Sequence, residues 1–272
     1  MAMFPTILGD LYVDDQGYNG EPVALLWPSL FNDHSMWRFQ IPALRTAGWR
    51  TLALDPPGHG RSKGVERDFT MDECAEAALQ ILDALNIHTP VVVLGTSWGG
   101  MIAPRIALRA PERVRGIVLF NTTAESATAF DRVKNTLLTK MLAIGALDKV
   151  VDRMIWSLNF APETRRRQPE LVAELGRNYR LWNRRGVINT VRAVLVERDA
   201  TLDKLRYVKT PALVISGKED TILPTPLSRR IVEQLPKARH VEVAGAAHLV
   251  PLEQPEAANK LILDFIADLP PV

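Results

Sequence analysis

The run Val91-Val92-Val93-Leu94-Gly95-Thr96-Ser97-Trp98-Gly99-Gly100 passes from apolar, mostly β-branched residues into a serine bracketed by glycines. Its first four residues predict a buried strand. Met101-Ile102-Ala103-Pro104-Arg105-Ile106-Ala107-Leu108 follows with helical apolar spacing. Strand, tight turn and helix around Gly-x-Ser-x-Gly is the context of a nucleophile elbow. A sharp turn lifts the hydroxyl of Ser97 clear of the sheet. Side chains at Gly95 and Gly99 would collide with the neighbouring strand or helix. The helix start behind Ser97 offers unpaired N–H groups to a developing oxyanion. The pentapeptide alone also fits a glycine-rich turn without chemistry, so the rest of the chain must decide.

Outward from that run the pattern is regular. Residues 5–27 give short strands around the turn Asp14-Asp15-Gln16-Gly17-Tyr18-Asn19-Gly20, read as an edge hairpin leading into Pro22–Trp27. A helix is expected from about Ser35 to Ala47, then the strand Arg50–Asp55 and a helix over about 71–86. After the elbow comes the strand Val114–Phe120. Strands alternating with helices imply a parallel, doubly wound α/β sheet with helices on both faces. From Asn121 to about Lys209 the spacing is helical, as in Leu137, Leu138, Met141, Leu142 and in Val150, Val151, Met154, Ile155. The expected organisation is a core of residues 1–122 and 208–272 with a helical cap inserted at 123–207. Strands at 211–216 and 239–243 and helices near 225–235 and 254–268 complete it. Pro104, two turns into the elbow helix, removes one hydrogen bond and is expected to kink or loosen it.

Length and composition narrow the classes. The chain has 272 residues, 47% of them apolar, enough for one large core. A net charge of +2 gives no footprint for nucleic acid. No run approaches a membrane span, and Met1-Ala2-Met3-Phe4-Pro5 lacks a leader pattern. The single cysteine, Cys74, excludes a disulfide framework, and a cytoplasmic location is expected. No zinc-type spacing or phosphate loop appears, so no metal and no organic cofactor is expected. Between Glu125 and Lys209 there are 17 Lys and Arg against 10 Asp and Glu. That cluster includes Arg165, Arg166, Arg167, Arg177, Arg180, Arg184 and Arg185. It reads first as solvated helix faces. Attraction of an anionic substrate and contacts in a homo-oligomer are the alternatives.

A serine hydroxyl needs a base, and the base needs a carboxylate to fix its tautomer. In a doubly wound sheet, reacting groups gather at the carboxyl ends of the strands. Asp220 lies just past the strand 211–216, in Gly217-Lys218-Glu219-Asp220, with Glu219 as the neighbour open to confusion. Of five histidines, His248 follows a late strand on a loop of small residues. His88 and His240 sit at the amino ends of strands, and His34 and His59 precede Ser97.

These stretches together resemble the α/β-hydrolase fold family over essentially the full length. They are Asp55-Pro56-Pro57-Gly58-His59-Gly60-Arg61-Ser62, Gly95–Gly100, Gly217–Asp220 and Gly245-Ala246-Ala247-His248. Within it the chain is most similar to the 3-oxoadipate enol-lactonase and carboxylesterase group, through Ser29-Leu30, Met36-Trp37, Arg109–Val114 and Glu253-Gln254-Pro255-Glu256. The resemblance implies a Ser97, His248, Asp220 triad. It also implies an oxyanion hole of the Leu30 and Trp98 backbone N–H groups, although Pro28-Ser29 replaces a His-Gly common among relatives. It implies hydrolysis of a small or medium carboxylic ester or lactone through an acyl-enzyme. Trp156, Phe160, Tyr179 and Trp182 are the large cap residues expected near the pocket. A cofactor-free perhydrolase or carbon–carbon bond hydrolase, and a non-catalytic ligand-binding module, are the alternatives.

Overall fold

Four strands bury every residue, which is what a sheet covered on both faces demands. They are β3 (Val23–Trp27), β4 (Arg50–Leu54), β5 (Val91–Thr96) and β7 (Ala212–Gly217). The computed structural model describes residues 2–144, 147–179 and 181–270. Among these, eight strands form one sheet in the order β1-β2-β4-β3-β5-β6-β7-β8. The others are β1 (Ala2–Thr6), β2 (Gly9–Gln16), β6 (Val114–Phe120) and β8 (Ala238–Val243). From β4 through β8 all pairings are parallel, while β1 and β2 are antiparallel additions at one edge.

Strand periodicity divides the core. Leu25, Trp27, Val91, Val93, Ile117 and Leu119 enter one apolar cluster, and Ala24, Leu26, Val92, Leu94, Val118 and Phe120 enter the other. Helices α2 (Met71–Ala84) and α3 (Trp98–Arg109) pack on the first face. Helix α1 (Gln40–Thr46) lies on the second. Between β6 and β7 the described residues contain no strand. They form α4 (Ala129–Ala143), α5 (Asp148–Asn159), α6 (Pro162–Arg167), α7 (Pro169–Tyr179) and α8 (Arg184–Val191), then a π turn over Arg192–Val196. Then come α9 (Thr225–Gln234), a short α10 (Val250–Glu253) and α11 (Pro255–Ala267), which joins α1 on the second face. No described helix is long and apolar enough to cross a membrane.

Two sequence expectations are corrected. The edge hairpin turns at Ile7-Leu8, where Thr6 pairs with Gly9 and Gly9 takes φ +82°. Asp14 and Asp15 are still strand, and β4 separates β2 from β3. The helix expected from Ser35 is a 3-10 turn at His34–Trp37 followed by α1. Pro42 has no N–H to give, so the first turn of α1 is where it costs least. The closing helix stands where expected, with Pro255 opening α11 and the short α10 before it. Pro104 lies buried inside α3 and does not end it, since the helix continues from Trp98 to Arg109.

Candidate active site

Ser97 stands at the junction of β5 and α3 with φ +53° and ψ −107°, a strained conformation for a residue with a side chain. The surroundings hold it there. Its N–H donates to Phe120 O at 2.8 Å, and its carbonyl accepts Thr122 Oγ1–H at 2.7 Å. A Cβ on Gly95 would lie 2.2 Å from the Gly99 carbonyl, and one on Gly99 2.0 Å from Trp27 O. Both glycines are therefore steric requirements of the turn. Trp98 opens α3, so its N–H has no partner within the helix.

The ring of His248 is bonded to Asp220, with Nδ1 and Oδ2 at 2.8 Å, and both side chains are buried. That leaves Nε2 as the nitrogen for exchange with another group. In this conformation no hydrogen bond joins Ser97 Oγ to His248, a separation common before substrate binds. Asp220 Oδ1 accepts from Ile222 N–H and Leu223 N–H, and Oδ2 also accepts Asn121 Nδ2–H. Burial alone would raise the Asp220 carboxyl. The charge and hydrogen bond of His248, with the Asn121 and Leu223 donors, outweigh it and hold the group below the usual carboxylate range. Glu219 does not touch the imidazole. It accepts Gly245 N–H and Ala246 N–H at 3.2 and 2.9 Å and so shapes the loop that carries His248.

The loop that carries Leu30 follows β3, whose last residue Trp27 pairs with Gly95 of the elbow strand. Asn32 Nδ2–H donates to Leu30 O at 3.1 Å and Asn32 N–H to Ser29 O at 3.2 Å. Phe31 sits at φ +62°, and its N–H donates to His59 Nε2 at 3.2 Å. His59 Nδ1 meets Pro57 O at 2.9 Å. A backbone N–H only donates and a carbonyl only accepts, so the two bonds fix the Nδ1–H tautomer of a neutral ring. The ring is fully buried between Trp98 and Trp182, which lowers its pKa to about 4; the Pro57 bond counters this only in part. The unfolded chain takes up this proton near pH 6.5 and the folded chain near 4, so stability is lost as pH falls through that window. Denaturant melts should show wild type losing about 3 kcal/mol more than His59→Leu between pH 7 and pH 4. Parallel stability curves would contradict a neutral His59.

Of the four aromatic residues expected near the pocket, Tyr179 and Trp182 meet these loops directly. Tyr179 packs edge-on against Phe31 at 5.6 Å, and Trp182 against His59 at 4.9 Å. Trp156 contacts both Tyr179 and Phe160. Many of the segment's arginines are ion-paired: Arg184 with Asp148, Arg192 with Glu197, and Arg166 and Arg167 with Glu163. Arg180 lies outside the described residues. Asp33, His34 and Asp55 offer ligand atoms within 4.8 Å of one another. Their oxygens already accept from Ser35, Arg61 and His34 itself, so the group is knit by its own hydrogen bonds.

A family description, the alpha/beta hydrolase fold, matches residues 22–255. The chain belongs to the alpha/beta hydrolase fold family. It is 28% identical over 260 residues to 3-oxoadipate enol-lactonase 1 of Acinetobacter baylyi, covering 95% of this chain and 94% of that one. It is 26% identical over 263 residues to a 2-hydroxy-6-oxononadienedioate/2-hydroxy-6-oxononatrienedioate hydrolase of Paraburkholderia phymatum, covering 94% and 90%. A crystal structure of a hydrolase from Pseudomonas aeruginosa PA01 superposes with TM-score 0.89 at 27% identity, covering 97% of each chain.

Three residues of this alpha/beta hydrolase escaped the sequence reading. Asn121, at φ +48°, donates from Nδ2 to both Asp220 Oδ2 and Ala247 O, so it spaces the acid from the histidine loop. An Asn closing a buried strand is suited to that left-handed position, which was the available signal. His59 was set aside by chain order, which bears on a base and not on a residue that holds a loop. Glu253 stood out only as part of a family stretch, because its partners lie on the histidine loop and at the distant junction of α5 and α6.

Proposed function

We propose that this chain is a serine hydrolase of carboxylic esters or lactones. The observation that carries the reading is the strained Ser97 at the carboxyl ends of the parallel strands, where the bonded Asp220–His248 pair also stands. In this reading Nε2 of His248 accepts the Ser97 proton as Oγ attacks the carbonyl carbon. The Leu30 and Trp98 N–H groups stabilise the tetrahedral oxyanion. His248 returns the proton to the leaving alkoxide, and water cleaves the acyl-enzyme with His248 again as base. In a lactone the leaving group stays tethered to the acyl part. The relatives named as an enol-lactonase and as a hydrolase of dienedioates support hydrolysis and leave carbon–carbon cleavage as the second reading.

Residues 123–207 act in this proposal as a cap that selects substrate. Trp182→Ala and Phe160→Ala should change relative kcat/KM among substrates by on the order of tenfold while leaving turnover intact. An equal loss across all substrates at unchanged stability would count against selection. The direct test is a panel of short- and long-acyl esters, lactones and a vinylogous carbon–carbon substrate, with Ser97→Ala as the blank. Short esters or lactones should be turned over fastest. Turnover of the carbon–carbon substrate alone would transfer the assignment to the second reading.

A further inference from the structure

Glu253 lies at the end of α10, five residues after His248, and is buried. Its two carboxylate oxygens face different parts of the molecule. Oε1 accepts Ala247 N–H at 2.8 Å and Leu249 N–H at 3.2 Å, the amides on either side of His248. Oε2 accepts Ala161 N–H at 2.7 Å and Thr164 Oγ1–H at 2.9 Å, both in the helical segment where α5 gives way to α6. Between these, the His248 N–H donates to Asn159 O at 3.1 Å, again in the helical segment. Three successive amides of the histidine loop are thus moored to Glu253 or to the segment that Glu253 holds.

The geometry points to Glu253 as a positioning residue that couples the seating of the helical segment to the placement of the catalytic base. The inference rests on the reading of His248 as that base. The donors of the clamp suit a carboxylate. Three of its four donors are backbone N–H groups, which cannot accept, so both oxygens must present lone pairs. Burial raises the Glu253 carboxyl and the four donors act in the opposite direction. A displacement of the segment removes the Oε2 partners and the Asn159 carbonyl together, and so frees the backbone of His248. A shift of about 1 Å in a reacting group is enough to cost on the order of 10²-fold in rate.

Two substitutions separate coupling from simple structural support. Glu253→Gln keeps the shape but turns an NH2 group toward N–H donors on one side. Thr164→Val removes one donor in the helical segment, nearly without change of volume, and touches nothing in the histidine loop. Amide hydrogen exchange followed by mass spectrometry reads the coupling without depending on turnover. Coupling predicts that Thr164→Val speeds exchange at 247–249 as well as at 161–164, and lowers kcat more than it raises KM. For Glu253→Gln a 10- to 100-fold fall in kcat is expected, with broadening of the low-field proton resonance of the His248–Asp220 pair. Exchange confined to 161–164 in Thr164→Val, with wild-type kcat, overturns the proposal even where Glu253→Gln fails to fold. The functional reading fails separately, through turnover that survives Ser97→Ala.

Discussion

Ser97→Ala is expected to lose on the order of 10⁴-fold or more in kcat against any ester or lactone the wild type turns over. The magnitude follows from covalent catalysis in which nucleophile and base act as one unit, so the loss of either forfeits most of the chemical step. The substitution should be structurally mild. The hydroxyl makes no hydrogen bond within the described residues, and the strained backbone at φ +53° is held by the Phe120 and Thr122 contacts to main-chain atoms. The measurement is steady-state turnover alongside a thermal melt. Retained activity with an unchanged melt would remove Ser97 from the mechanism.

Asp220→Asn carries the second large effect, about 10³- to 10⁴-fold in kcat, through the histidine tautomer. Asp220 Oδ1 is held by two backbone N–H groups, from Ile222 and Leu223, so the amide oxygen of the variant belongs there. The amide NH2 then replaces Oδ2 and donates to His248 Nδ1, which sends the ring proton to Nε2. A protonated Nε2 on a neutral ring cannot accept from Ser97. Turning the Asn121 amide offers its otherwise partnerless Oδ1 to the new NH2 group but gives up the bond to Ala247 O, so the fold should persist with a stability loss of about 1 kcal/mol. Glu219→Gln is the control. Its partners are two loop amides, and a loss of roughly tenfold or less is expected from the loosened loop. A greater loss for Glu219→Gln than for Asp220→Asn would reverse the assignment of the acid.

The sheet was legible because burial on both faces writes itself as unbroken apolar runs, as at Val91–Leu94 and Ala212–Ile215. The position of Ser97 was legible because Gly95 and Gly99 are dictated by contacts below 2.5 Å that only glycine allows. Asp220 and His248 followed from strand ends and chain order, and the structure places them in hydrogen-bond contact. The edge hairpin was misread because Gly17 and Gly20 advertise a turn more strongly than Ile7-Leu8, where Leu8 is fully buried. The supporting residues were not legible for a different reason. Asn121, His59 and Glu253 act through partners up to 126 residues away in sequence, and nothing in a local window reports such pairings.

The most direct test of the central claim is covalent labelling of the native protein with a fluorophosphonate, followed by digestion and mass spectrometry. The Ser97 hydroxyl should displace the leaving group at phosphorus, with one equivalent of probe on the peptide that contains Ser97. Labelling should be lost in His248→Ala, where no base accepts the proton. Stoichiometric labelling at another residue, or no labelling of a preparation that turns over esters, would contradict the account.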